Sequence, residues 1–131
     1  MNPRKKLTFW GAHEDDDSLV LSVIAGRKTV TADTVEDYYR DYGELGDGAY
    51  AAGDLIDVHD LRGRRRCTIR ATEVRLIRFG TIPEDVWRGE AFASADEFRE
   101  VHIACLPHLD LHDDVEFVPL HFELVEVAPA S

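Results

Sequence analysis

The six residues Gly26-Arg27-Lys28-Thr29-Val30-Thr31 combine a turn-forming glycine, a lysine and two hydroxyls. Lys28 supplies a mobile cation and, where burial disfavours its charged form, a base. Thr31 supplies a hydroxyl that is a weak nucleophile until a neighbouring base activates it. In an extended strand Thr29 and Thr31 share one face, and Lys28 and Val30 the other. Lys28 therefore converges with Thr31 only if it lies in the turn before the strand. The plain explanation of the hexapeptide is a helix exit. Glu90 sits in Trp87-Arg88-Gly89-Glu90-Ala91-Phe92. A carboxylate between Trp87 and Phe92 is placed to lose part of its water. The plain explanation here is a surface loop.

Other chemistry-bearing residues are weaker. His108-Leu109-Asp110-Leu111-His112-Asp113-Asp114 is rich in nitrogen and oxygen ligands. In extended chain His108, Asp110 and His112 share a face, but they match no zinc spacing, and no metal or cofactor is expected. Cys67 and Cys105 form no C-x-x-C pair and are expected to be buried thiols. Arg62, Arg64, Arg65, Arg66, Arg70, Arg75 and Arg78 cluster along one stretch. They form either a solvated strand face or a local polyanion site. Trp87 and the tyrosines Tyr38, Tyr39 and Tyr42 could stack a flat base, although such aromatics more often anchor a core or loop.

The elements around these residues follow from pattern. Leu7 to Trp10 reads as a short strand. His13-Glu14-Asp15-Asp16-Asp17 precedes Leu19, Val20, Val23 and Ile24 at helical spacing, and Gly26 follows. Acidic residues suit a helix start and glycine its exit, so a helix is expected from Asp15 to Ala25. Thr29 to Ala32 has strand composition. Asp33 to Gly53 reads as a long loop with a helical turn at Val35 to Tyr39, and long loops in compact domains are often functional. Leu55 to His59 and Cys67 to Val74 read as a hairpin around Arg62-Gly63. Thr81-Ile82-Pro83-Glu84 resembles a helix start with Thr81 as cap and Pro83 just inside. Ser94-Ala95-Asp96-Glu97 is a capping box opening a helix with Phe98, Val101, His102 and Cys105 on one face. Pro107 stops it. His108 to Asp114 is a polar loop, and Val115 to Val127 a final strand or pair of strands in which Pro119 implies an edge or a bulge. Hairpin and meander connections outnumber βαβ crossovers. The fold class expected is α+β, a small, mostly antiparallel barrel with flanking helices, in a single domain spanning 1–131.

Composition narrows the partners. The chain has 131 residues, 44% hydrophobic, with a net charge of −11 from 15 basic and 26 acidic residues. Duplex DNA is disfavoured, because phosphate contacts need the opposite balance. The longest apolar runs, such as Leu19 to Ile24, fall far short of the roughly 20 residues that cross a bilayer. The basic Met-Asn-Pro-Arg-Lys-Lys opening has no apolar run or cleavage site after it, so no signal peptide, no membrane partner and a cytoplasmic location are expected.

Four features resemble the ASCH domain, a member of the PUA-like superfamily. They are Ala25-Gly26-Arg27-Lys28-Thr29-Val30-Thr31, Ala52-Gly53-Asp54 entering a strand, Thr72-Glu73-Val74 followed by Phe79, and Glu90-Ala91-Phe92-Ala93-Ser94 opening the helix with Glu97-Phe98-Arg99. Their order and spacing cover about Phe9 to Glu126. The resemblance implies a β-barrel with flanking helices, a cleft at the Gly-x-Lys-x-x-Thr turn and a link to RNA or nucleosides. It further implies catalytic roles for Lys28, Thr31 and Glu90, by similarity to a small bacterial ASCH amidohydrolase acting on N-acetylated cytidine. Gly26, Arg27, Thr29, Tyr42 and Trp87 are then candidate ligand contacts. Amidohydrolase-like members tend to carry an arginine soon after the threonine. Here Ala32-Asp33 stands instead, which weakens phosphate binding at the cleft mouth. The match at Glu90 needs a one-residue shift in the following loop.

Two chemistries fit the trio. Either Thr31 attacks while Lys28 takes or relays its proton and Glu90 positions the lysine or the leaving amine, or Glu90 activates a water. Three functions remain open: an amidohydrolase on an N-acylated nucleoside, a non-catalytic RNA- or nucleotide-binding module, and a ribonuclease. The expected partner is a nucleoside-like ligand or RNA. The sequence says nothing of oligomeric state.

Overall fold

The structure, a computed structural model, describes residues 5–9, 13–36, 38 and 50–129. In chain order the described elements are β1 (Lys5–Thr8), α1 (Ser18–Ile24), β2 (Val30–Thr34), β3 (Leu55–His59), β4 (Arg65–Val74), β5 (Ile77–Arg78), α2 (Glu84–Gly89), α3 (Ala95–Cys105) and β6 (Glu116–Val127). The strands form one sheet in the order β1-β3-β4-β6-β2, with β5 paired to β6. Only the β1–β3 pairing is parallel among these. The sheet curls into a half-closed barrel, the mostly antiparallel α+β architecture expected. Its two edge strands, β1 and β2, stand at the opening. Among the described residues no helix is long and apolar enough to cross a membrane.

Strand β6 is buried on both faces over Phe117 to Leu120, because it divides two cores. Val118, Leu120 and Phe122 face Val20 and Val23 of α1 and Ile56, Val58 and Ile69 of the hairpin. Phe117 faces a second core of Val30, Ala32, Ile77, Phe79, Val86 and Phe98, which seats α2 and α3. Burying a side chain of this size fully is worth about 1.5–3 kcal/mol, so each helix is held by its few inward residues rather than by its own short length.

Several expectations are corrected. Helix α1 begins at Ser18, not Asp15. Asp16 instead accepts from the amide and hydroxyl of Ser18, at 3.2 and 2.7 Å. Asp15 and Asp17 turn outward to Arg62 of the hairpin turn and Arg66 at the start of β4. The acidic run clamps the β3–β4 turn onto α1 instead of forming its first turn. Pro83 is the cap of α2 itself rather than its first helical residue. Cys105 is exposed, whereas Cys67 is fully buried. Pro119 lies in an interior strand, paired with Ala32. Its carbonyl accepts from Arg75 N at 3.1 Å, in the gap where β4 ends and β5 begins. Amide and carbonyl of one residue face the same neighbour, so the donor that proline lacks falls where the partner strand is interrupted.

Other expectations hold. Gly26 takes φ 80° just past α1. The Ser94 hydroxyl accepts from Glu97 N at 3.1 Å, and the Glu97 carboxylate accepts from Ala93 N. Of the long loop after β2, Val35, Glu36, Tyr38 and the stretch from Tyr50 on are described. The Tyr38 hydroxyl accepts from Tyr50 N at 2.8 Å, and the Tyr50 hydroxyl donates to Lys6 O at 2.5 Å. Trp10, Tyr39 and Tyr42 lie outside the described residues.

Candidate functional site

The opening between β1 and β2 is a cleft of about 480 Å³. Leu7, Thr8 and Phe9 line one side, Thr31, Ala32 and Asp33 the other, and α3 contributes Val101, His102 and Cys105. Lys28 and Glu90 form its polar floor.

Local geometry explains how residues so far apart in sequence meet there. After Gly26, the amides of Arg27 and Lys28 both reach back to Ser22 O, at 3.0 and 3.1 Å. The strand begins only at Val30, so Lys28 lies in the turn, the condition for convergence with Thr31. Thr29 N donates to Gly89 O at 2.6 Å, which docks the end of α2 on β2. A Cβ at Gly89 would stand 2.3 Å from Val30 Cγ2, so only glycine allows this approach. Ala91 then takes φ 66°, an unfavourable conformation for an L-residue that reverses the chain directly after Glu90.

Lys28 and Glu90 make an ion pair at 3.2 Å, with side chains 4% and 6% exposed. Lys28 Nζ also donates to Val30 O at 2.8 Å and sits 5.6 Å from the centre of the Phe9 ring. An ammonium has three hydrogens, so one remains for a ligand. Glu90 Oε2 is buried and has no hydrogen-bond partner among the described residues. His102 Nε2 lies 3.9 Å from it. Among the described residues no hydrogen bond joins Thr31 to Lys28 or Glu90; Thr31 shares the cleft wall with Asp33, one strand period away. Desolvating an ion pair costs several kcal/mol, which a purely structural role rarely repays over an apolar pair.

The remaining sequence candidates fall elsewhere. Gly26, Arg27 and Thr29 are exposed and do not line the cleft. Trp87 packs against the second core with the Arg88 guanidinium 5.0 Å from its ring centre, away from the cleft. Tyr38 is buried in the first core. All seven clustered arginines have an acidic neighbour. Arg62 pairs with Asp15, Arg64 with Asp60, Arg65 with Glu126, Arg66 with Asp17, Arg70 with Glu123, Arg75 with Asp85 and, more loosely, Arg78 with Asp114. They form a neutralised surface rather than a polyanion site. Asp60 anchors part of it. Burial alone would raise its pKa, but the amides of Arg64 and Arg62 and the Arg64 guanidinium bring it down to about 2. Burial pushes the Cys67 thiol up to about 11, which makes it unreactive. Among the described residues no cluster of three metal-ligating side chains exists, the His108–Asp114 segment included.

His102 is the site residue that the sequence reading missed. Its signal was a titratable side chain on the apolar stripe of α3, beside Phe98. Its ring stacks on Phe98 with centroids 4.0 Å apart, and Nδ1 lies 2.7 Å from Phe98 O.

Comparison with known proteins agrees with the fold. The family model described as ASCH domain matches residues 6–126. A crystal structure of an Enterococcus faecalis V583 protein assigned to DUF984 superposes with a TM-score of 0.74 at 21% identity, covering 95% of this chain and 77% of that one. The ASCH domain from Lactobacillus crispatus JV V101 gives a TM-score of 0.71 at 19% identity, covering 93% and 80%. No curated protein matches the sequence.

Proposed function

The chain belongs to the ASCH domain family, and from that premise we propose that it binds a nucleoside-like ligand in the cleft between β1 and β2 and hydrolyses an amide on it. The observation that carries this reading is the buried Lys28–Glu90 pair on the floor of a nucleoside-sized cleft. Apolar walls at Phe9 and Phe92 suit a flat ring, and the few polar groups converge, as small-molecule sites require.

Lys28 Nζ is engaged by Val30 O and Glu90, so the version with Glu90 as base is favoured over Thr31 as nucleophile. Glu90 takes a proton from a water whose oxygen attacks the amide carbon. The carbonyl oxygen becomes an oxyanion facing the remaining Lys28 hydrogen. The tetrahedral intermediate collapses as the C–N bond breaks, and the nitrogen leaves with the proton from Glu90. The products are a carboxylic acid and a free amine. Thr31 orients the ligand from the wall.

A non-catalytic RNA-binding module is the second reading, and it too uses this cleft. The net charge of −11 and the paired arginines favour a short ligand over a long polyanion. The test is turnover of a panel of N-acylated nucleosides, N-acetylcytidine included, by the wild type and by Lys28→Ala. Turnover lost in the variant is the expected result. No turnover of any panel member by folded wild type would leave the binding module.

A further inference from the structure

Two largely enclosed polar atoms, His102 Nε2 and Glu90 Oε2, face one another in the cleft. His102 Nδ1 stands 2.7 Å from Phe98 O, an atom that can only accept, so Nδ1 carries the hydrogen. In the neutral ring Nε2 then presents a lone pair. That lone pair faces Glu90 Oε2, which is 3.9 Å away and without a partner among the described residues. The Glu90 and His102 side chains are 6% and 13% exposed, too enclosed for bulk water to satisfy them freely. Stacking on Phe98 and the bond to its carbonyl fix the imidazole, and the second oxygen of the same carboxylate is held by Lys28.

We infer that Glu90 Oε2 and His102 Nε2 form a subsite for a primary amino group of the ligand. One nitrogen with two hydrogens satisfies both acceptors at once, whereas an oxo group in the same place meets two lone pairs. The ligand class is an amino-substituted heterocycle, its ring between the apolar walls and its amine on this pair. The inference rests on the ligand occupying this cleft but not on its being hydrolysed. In the hydrolytic reading the same atoms receive the amine as it leaves.

The test is calorimetric titration of the full chain with cytidine against uridine and adenosine against inosine, pairs that differ by amino for oxo. His102→Phe keeps the ring that stacks on Phe98 and removes Nε2. At least one amino member should bind about tenfold more tightly than its oxo partner, as expected for hydrogen bonds to a charged group. In His102→Phe the ratio should fall to about one while the far-ultraviolet circular dichroism stays unchanged. Nitrogen-15 spectra of the wild type should show Nδ1 protonated and Nε2 bare, with Nε2 shifting on addition of the tighter nucleoside. Equal binding within both pairs, binding of none of the four, a ratio kept in His102→Phe, or a protonated Nε2 beside a bare Nδ1 would each overturn the inference. Selective binding without turnover of N-acylated nucleosides would remove the hydrolase reading and keep the subsite. Turnover with no amino preference would do the reverse.

Discussion

Replacing Lys28 by Met keeps the length of the side chain and deletes its charge. Glu90 then loses its Oε1 partner while Oε2 already has none among the described residues, so a carboxylate 6% exposed is left buried alone. Breaking a buried pair from one side costs about 3–5 kcal/mol. The lower end applies here, because the cleft mouth lets some water reach the floor. A loss of about 3 kcal/mol corresponds to roughly 10 °C in melting temperature for a domain of this size. Adding Glu90→Gln to Lys28→Met removes the uncompensated charge and should recover about 2 kcal/mol. Glu90→Gln alone, which leaves Lys28 its bond to Val30 O, should cost about 1 kcal/mol. Urea unfolding of all four proteins at constant m-value gives the coupling directly. A loss below about 1 kcal/mol in Lys28→Met, or additive single and double variants, would refute the reasoning. The pair would then be solvated, and the polar floor would not be a desolvated site.

Gly89→Ala places a methyl 2.3 Å from Val30 Cγ2, and both residues are buried. It should destabilise by about 2 kcal/mol in thermal melts, from overpacking at a rigid β-branched partner; an unchanged melting temperature would show that α2 is not docked this closely. The folded Asp60 pKa of about 2 lies below its ordinary 3.8, so its stabilising effect is complete above about pH 4 and is lost as pH falls towards 2. Discounting for its half-exposed arginine partner, the wild type should lose about 1–2 kcal/mol more than Asp60→Asn over that interval, and parallel acid-unfolding curves would contradict this. Cys105 is exposed at the cleft and Cys67 is fully buried, so a thiol reagent should label one site in the native protein and two in denaturant. Native labelling of Cys67 would mean that the first core opens.

Much of this architecture was legible in the sequence, because hairpin, capping-box and glycine signals act locally. Gly26, Ser94 with Glu97, and the Arg62-Gly63 turn each depend on neighbours within a few residues, and all behave as expected. Asp15 and Asp17 misled for the opposite reason: their partners, Arg62 and Arg66, are roughly fifty residues away. Pro119 looked like the mark of an edge or a bulge. Its missing donor in fact falls opposite a break in the neighbouring strand, which only the β4–β5 geometry reveals. Lys28 and Glu90 were legible as a pair through the family pattern, but their meeting depends on the Gly89–Val30 approach, which no spacing rule encodes. Trp87 was placed near the ligand because it neighbours Glu90 in sequence, yet α2 turns it onto the second core. His102 was hidden in an apolar stripe, where periodicity records a buried face and not what that face looks onto.

Adjacent residues separate the Lys28 cleft, the proposed working site, from its surroundings. Lys28 is buried on the cleft floor, while Arg27 is exposed and outside it. Turnover of N-acetylcytidine and related N-acylated nucleosides should therefore fall by at least about a hundredfold in Lys28→Ala, the scale of one lost oxyanion donor. It should stay within about twofold of wild type in Arg27→Ala. Equal activity of the two variants, or a larger loss in Arg27→Ala than in Lys28→Ala, would contradict the account.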